Sequence, residues 1–130
     1  MSNRAIWAAF TNHLGSMSNG LPILWQSVVG TPPDADYWLE ARHFPNETGN
    51  ISWDGDGKNR YFGFFQVSVY TRKKIGNDPI YAIVEDVIAH CPKETDFAGV
   101  LVIKKPHASP TIELPDRIYV PVTIHYLGIL

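Results

Sequence analysis

The stretch RYFGFFQVSVYTR, Arg60 to Arg72, decides how the rest of the chain is read. Phe65, Val67 and Val69 alternate with Gln66 and Ser68, the period-two pattern of a strand with one face on a core. The same alternation puts Phe62 and Phe64 on the face opposite Phe65 and Val67. A sheet covered by helices on one side only would expose those two rings. Either a loop or the Trp25 segment covers them, or they belong to a subunit interface, because large exposed apolar patches mark contact sites.

Working outward, Tyr37 to Phe44 alternates too, with Tyr37, Leu39 and Ala41 facing one way and Glu40 and Arg42 the other. It pairs antiparallel with the Arg60–Arg72 strand. Between them, Pro45 to Asn59 holds three glycines and one proline in fifteen residues, and only Ile51 and Trp53 are large and apolar. A loop of that length inside a small domain is uncommon and tends to be functional or disordered. It is expected to project well beyond the sheet.

On either side of this pair the spacing predicts helices. Ile6, Phe10 and Leu14 recur every four residues with Trp7 beside them, from about Asn3 to Leu14. Ser2 or Asn3 can cap the start, and Gly15 is a stop signal. Leu21 to Trp25 looks like a short first strand, and Val28 to Asp36, with Gly30, Pro32 and Pro33, is a connector. Asp78 before Pro79 is a helix start. Ile80, Ile83, Val84, Val87, Ile88 and Cys91 then form one stripe, and Pro92 ends it. Strands follow at Gly99–Lys105 and at Arg117–Leu127, where Ile118, Val120, Val122, Ile124 and Tyr126 share a face. Pro121, in the middle of that last strand, cannot donate to a ladder and is expected on an edge or at a bulge. The expectation is an α+β fold of residues 1–130 as one domain. Its mostly antiparallel sheet has four to five strands, with two helices on one face and the long loop projecting.

The chain has 130 residues, of which 45% are hydrophobic and 18% charged, an ordinary globular composition. Eleven basic side chains against thirteen acidic ones leave a net charge of -2, which argues against a dedicated nucleic-acid binder. The apolar run Ala5 to Phe10, behind the single basic residue Arg4, is too short for a signal peptide or a membrane span. Folding in the cytoplasm follows as an expectation, and the sequons at Asn46 and Asn50 then carry no meaning. Cys91 has no partner for an internal disulfide.

The chemistry-bearing residues point away from catalysis. Asp54-Gly55-Asp56-Gly57-Lys58-Asn59 resembles the opening of a calcium loop, but Lys58, Asn59 and Phe65 occupy positions that need an oxygen ligand, a glycine and a glutamate. His90 and Cys91 are adjacent on a helix and point about 100° apart, so they do not form a reactive pair. His13, His43, His107 and His125 are scattered, with no ligand pair at helical spacing. No nucleophile elbow, Walker loop or dinucleotide fingerprint occurs. No catalytic residue, metal or cofactor is expected. Arg72-Lys73-Lys74 and Lys104-Lys105 are basic, whereas six acids face three bases between Asp34 and Arg60. Segregated charge of this kind is a hint of head-to-tail assembly.

Taken together, these elements resemble the tail-terminator proteins of long-tailed bacteriophages, the lambda-type group. The resemblance runs over nearly the whole chain: the helix Ile6–Leu14, Leu21–Trp25, Thr31-Pro32-Pro33 and the strand Tyr37–Phe44. It continues through an acidic, glycine-bearing loop, the strand Gly63–Tyr70, the helix Pro79–Cys91 and the closing strand Ile118–Ile124. It implies a structural virion protein at the head-proximal end of the tail. Such proteins form a homohexameric ring that caps the finished tube, stops its polymerisation and offers the tail side of head–tail joining. The implied partners are further copies of the chain, the major tail tube protein and a head-completion or neck protein, with DNA passing through the lumen ungripped and no membrane involved. The ring contacts are then expected at Trp53, Asp54, Asp56, Lys58, Arg60, Phe62 and Phe64 on one side, and at the edge strand carrying Pro121 on the other. A head–tail connector of the neck stays open as an alternative, as does a small ligand-binding α+β domain using His43, Asp54 and Asp56.

Overall fold

The structure, a computed structural model, describes residues 3–17, 22–25, 36–45, 49–50, 59–72 and 78–129. The elements in chain order are α1 (Asn3–Gly15), β1 (Ile23–Trp25), β2 (Tyr37–Pro45), β3 (Gly49–Asn50), β4 (Asn59–Arg72), α2 (Asp78–His90), β5 (Asp96–Phe97), β6 (Val100–Val102), β7 (His107–Ala108), β8 (Ile112–Glu113) and β9 (Arg117–Ile129). The two helices and the three long strands lie where the hydrophobic periodicity puts them.

The architecture differs from the expected one. The protein is mostly β, with about half of the chain in strands, and the main sheet is a curled, mixed half-barrel of six strands in the order β1-β2-β4-β9-β6-β5. It is not a mostly antiparallel sheet of four to five strands with two helices laid on one face. Two physical causes separate expectation from structure. First, β1 runs parallel to β2, Ile23 opposite Leu39 and Trp25 opposite Ala41, which makes the sheet mixed. Second, β5, β7 and β8 are two residues each, too short to show alternation. The β5–β6 turn also escapes a sequence reading. Ala98 and Gly99 both have positive φ, 54° and 88°, the backbone of a tight hairpin turn, and the Gly99 amide donates to Asp96 Oδ1 at 3.0 Å.

Pro121 does not sit on an edge. Its strand, β9, pairs along one side with β4 from Arg60↔Ile129 to Arg72↔Arg117, and along the other with β6, β7 and β8 in turn. The Ser109 amide donates to the Pro121 carbonyl at 2.9 Å. A residue's amide and carbonyl point to the same side of a strand, so the nitrogen without a hydrogen faces Ser109, where β7 gives way to the loop before β8. The long β4–β9 ladder loses nothing to the proline.

The inner face of the half-barrel carries Leu39 and Ala41, Phe65, Val67 and Val69, then Val120, Val122 and Ile124, with Val100 and Val102 beyond. Ile6, Phe10 and Leu14 of α1 and Ile80, Val84, Val87 and Cys91 of α2 join these in one buried cluster. Phe10 lies parallel to Phe65 with ring centroids 3.8 Å apart. Burial of each such ring stabilises the fold by roughly 1.5–3 kcal/mol.

At one end of the inner face, polar groups cross the sheet. Gly63 stands between Pro45 and Tyr126 in register, and the Tyr126 hydroxyl passes over it to reach His43 Nε2 at 2.6 Å. A Cβ on Gly63 would lie 2.8 Å from that hydroxyl and 2.5 Å from the Phe44 carbonyl oxygen. The glycine is what lets β2 and β9 approach each other across β4. Trp7 stacks on His43 and Trp25 meets Trp7 edge-on, so the Trp25 segment lies against α1 and does not cover Phe62 or Phe64.

Candidate assembly surface

On the outer face the register stacks side chains into rows that cross β2, β4 and β9. One row is Trp38, Tyr70 and Tyr119, with ring centroids 5.4 and 4.8 Å apart. Arg72 lies over the Trp38 ring at 5.9 Å and Arg117 over Tyr70 at 5.7 Å, both within cation–π range. Burial and the Glu40 carboxylate, which accepts the Tyr70 hydroxyl, push the Tyr70 phenol up from its ordinary value. The next rows are Glu40, Ser68 and Pro121, then Arg42, Gln66 and Thr123, with Arg42 Nε donating to Glu40 Oε1 at 2.7 Å. A second aromatic row, Phe44, Phe64 and His125, lies six residues further along each strand.

The two aromatic rows differ in accessibility. Trp38 is 2% exposed, whereas Phe44 is 36% exposed and Phe64 is half-buried. Phe64 stacks on Phe44 with centroids 4.8 Å apart and tilts against His125 at 5.8 Å, and His107 of β7 continues the row 6.0 Å beyond His125. His107, Lys104 and Lys105 are exposed. Burial first, and then the nearby Lys104 and His107, hold the His125 pKa below its ordinary value. The distal end of the outer face is thus an aromatic strip with the Lys104 ammonium close to it.

The residues expected at a subunit interface fall into three groups. Trp53, Asp54, Asp56 and Lys58 lie outside the described residues. Arg60 pairs with Gly49 and Ile129 through its backbone, and its side chain lies outside them too. Phe62, Phe64 and Pro121 all point to the outer face, Phe62 and Phe64 half-buried and Pro121 buried next to Ser68. The fold therefore brings Phe62, Phe64 and Pro121 to one surface, not to two opposed ones. Phe44, His107 and His125 belong to the same strip and were not assigned to an interface from the sequence, while Lys104, close to His125, was noted there as half of a basic pair. The signal for Phe44 was present in the alternation of β2, while the approach of His107 to His125 depends on β7.

The histidines, scattered in sequence, meet in space. His13 Nε2 lies 2.7 Å from the His90 carbonyl oxygen and His90 Nε2 lies 2.6 Å from that of His13, with the rings stacked at 4.3 Å. A carbonyl only accepts, so both Nε2 atoms carry hydrogen and donate. Ser16 Oγ donates to the His13 carbonyl at 2.6 Å and lies 3.2 Å from His90 Nε2. These bonds clasp the C-terminal ends of α1 and α2 together and satisfy carbonyls that a helix end leaves open. Cys91, next to the clasp, is buried, and burial pushes its thiol up to about 12, away from reactivity. His43, a candidate for ligand chemistry, is committed to the inner face with Tyr126. Burial lowers the His43 pKa and raises that of Tyr126 to about 12, so neither charges near neutral pH. Among the described residues no three His, Cys, Asp or Glu side chains are grouped to hold a metal ion, and no helix is long and apolar enough to cross a membrane.

The described residues thus form a curled β-sheet with a polar pair, His43 and Tyr126, inside and an aromatic strip outside. Residues 5–126 match the phage tail terminator protein family, and the chain belongs to it. The family is structural, not known as enzymatic, and membership makes the protein a component of a phage tail and so of the virion. A solved structure with 28% sequence identity superimposes with a TM-score of 0.76, covering 98% of this chain and 96% of its own. No curated protein matches the chain.

Proposed function

We propose that the protein caps the completed tail tube as a homo-oligomeric ring of six copies, stops further tube polymerisation and forms the tail side of the head–tail joint. The match to the tail terminator family over residues 5–126 carries this reading. The ring is built head to tail, so each copy offers one surface to the copy before it and a different one to the copy after. The acidic segment between β2 and β4 and the outer-face strip are the two surfaces best suited to that role. The tube protein meets one flat side of the ring, a neck protein meets the other, and DNA passes through the lumen without specific contacts. No step in this function is chemical.

Light scattering over a concentration series, alone and with tail tubes from the same phage, tests the reading. Masses near six chains, or rings on tube ends by electron microscopy, are expected. A chain that stays monomeric at high concentration and leaves the tubes bare overturns it. Rings that bind a portal–neck complex and ignore tubes would assign the protein to the neck instead.

A further inference from the structure

We propose that Arg117, with Arg72 beside it, is a binding site for a single carboxylate, carried by a small organic acid or presented by a protein side chain. The site lies at the other end of the outer face from the Phe44 strip, and its chemistry does not depend on the ring.

Register brings the two cations together. Arg72 and Arg117 are the last pair of the β4–β9 ladder and face each other directly, two positions beyond Tyr70 and Tyr119 and so on the same outer face. Like charges directly opposite each other on a sheet are destabilising. The sheet offsets this by setting each guanidinium over a ring, Arg72 at 5.9 Å from the Trp38 centroid and Arg117 at 5.7 Å from that of Tyr70. Those two rings are 5.4 Å apart and 6° from parallel, so the guanidinium groups stand side by side.

Arg117 is short of a partner. Its Nε is buried and makes no hydrogen bond among the described residues. Asp116 Oδ1 lies 3.6 Å away, too far for one. A buried donor left open costs stability, and orphans of this kind mark places where an ion or ligand completes the structure. Asp116 holds the approach only loosely. It sits in a turn closed by the Leu114 amide on the Arg117 carbonyl at 2.7 Å, and its side chain is 76% exposed. An incoming carboxylate that displaces it can take the Nε–Nη edge of Arg117 as a bidentate fork.

The surroundings favour one negative charge over several. The Glu40 carboxylate accepts the hydroxyl of Tyr70, the ring beneath Arg117, and Asp116 stays near, so a doubly charged phosphate or a nucleic-acid backbone meets more repulsion than a carboxylate does. Beside the cations, Tyr119 is half-buried and Ile112, its partner across the β8–β9 pair, is exposed. An apolar group next to the bound carboxylate can rest on these two. Arginine set among tyrosine and tryptophan is also the composition of the energetic centres of interfaces.

The test follows the arginine Nε–H signals of the isotope-labelled full chain by NMR, with thermal unfolding beside it. The probes are sodium acetate, the peptide acetyl-Leu-Asp-Leu-amide, sodium phosphate and a short DNA duplex, each against sodium chloride at equal ionic strength. The signal missing from Arg117→Lys identifies Arg117. Acetate and the peptide are expected to shift that signal and to raise the unfolding temperature where chloride does neither. Arg117→Lys keeps the charge but loses the fork, and stabilisation by either carboxylate should weaken about tenfold. Asp116→Asn should bind more tightly, because the competing carboxylate is gone; an arginine with a merely structural role would gain nothing from it. Arg72→Gln, at an exposed position, must weaken binding too, and it serves as the second variant if Arg117→Lys unfolds. Peptide binding about tenfold tighter than acetate assigns the carboxylate to a protein partner, and equal binding assigns it to a free acid. No shift with either carboxylate, or a shift that chloride reproduces, overturns the site. Phosphate or duplex that binds through Arg117 more tightly than both carboxylates gives it to phosphate and also overturns the proposal.

Discussion

His13 and His90, on different helices, each donate an Nε2 hydrogen to the other's backbone carbonyl, at 2.7 and 2.6 Å. Burial, the largest cause, and the neighbouring His90 lower the His13 pKa, outweighing its bond to the His90 carbonyl. Burial also lowers His43 and His125. A histidine with a lowered folded-state pKa binds its proton more readily when unfolded. Its contribution to stability is present above the unfolded value, 6.5, and is lost as the pH falls through the folded one. The unfolding temperature should therefore drop as the pH is taken from about 7 to about 5. His13→Gln should flatten part of that slope. A profile that rises on acidification would contradict the burial of these rings.

Gly63→Ala should be among the costliest small substitutions in the protein. Its methyl would lie 2.5 Å from the Phe44 carbonyl oxygen and 2.9 Å from the Pro45 Cα, so β2 itself must move. A loss of about 1–3 kcal/mol is expected in urea unfolding, as for other overpacked sites. Tyr126→Phe should cost about 1–2 kcal/mol through the hydrogen bond to His43. In the double variant the hydroxyl clash is gone but the backbone clash stays, so the two losses add to less than their sum without cancelling.

Phe10→Ala removes the ring that lies 3.8 Å from Phe65 at the centre of the core cluster. A decrease of about 3–5 kcal/mol in unfolding free energy is expected. Calorimetry or denaturant titration of the free chain measures it, whatever its oligomeric state at low concentration.

Trp53→Ala separates assembly from folding. Trp53 belongs to the acidic segment, and its loss should weaken the oligomer in light scattering while the unfolding temperature of the isolated chain changes by no more than about 2 °C. Unfolding of the variant would instead make Trp53 a core residue.

Much of this fold could be read from periodicity, because α1, α2, β2, β4 and β9 each bury a stripe long enough to repeat. Phe10, Leu14, Val84 and Val87 announce their helices, and Val67, Val69, Val120 and Val122 their strands. What stayed hidden was decided between elements. Nothing local in Ile23–Trp25 says that it runs parallel to β2. Nor does Pro121 reveal that its bare nitrogen faces Ser109 and not β4, and the edge assignment failed for that reason. The Phe62–Phe64 face was legible from alternation alone. Its neighbours His107 and His125 were not, since their meeting needs a strand of two residues.

The pairing of β4 with β9, from Arg60↔Ile129 to Arg72↔Arg117, also orders events during synthesis. Everything from α1 to β4 leaves the ribosome before the strand that must lie at the sheet's centre exists. Until residue 129 emerges, β4 has a bare flank and carries Phe62, Phe64 and Phe65 beside it. Distant pairings of this kind form slowly, and unpaired strand flanks invite other chains. A nascent copy therefore spends the interval before β9 emerges with its most aromatic strand half paired.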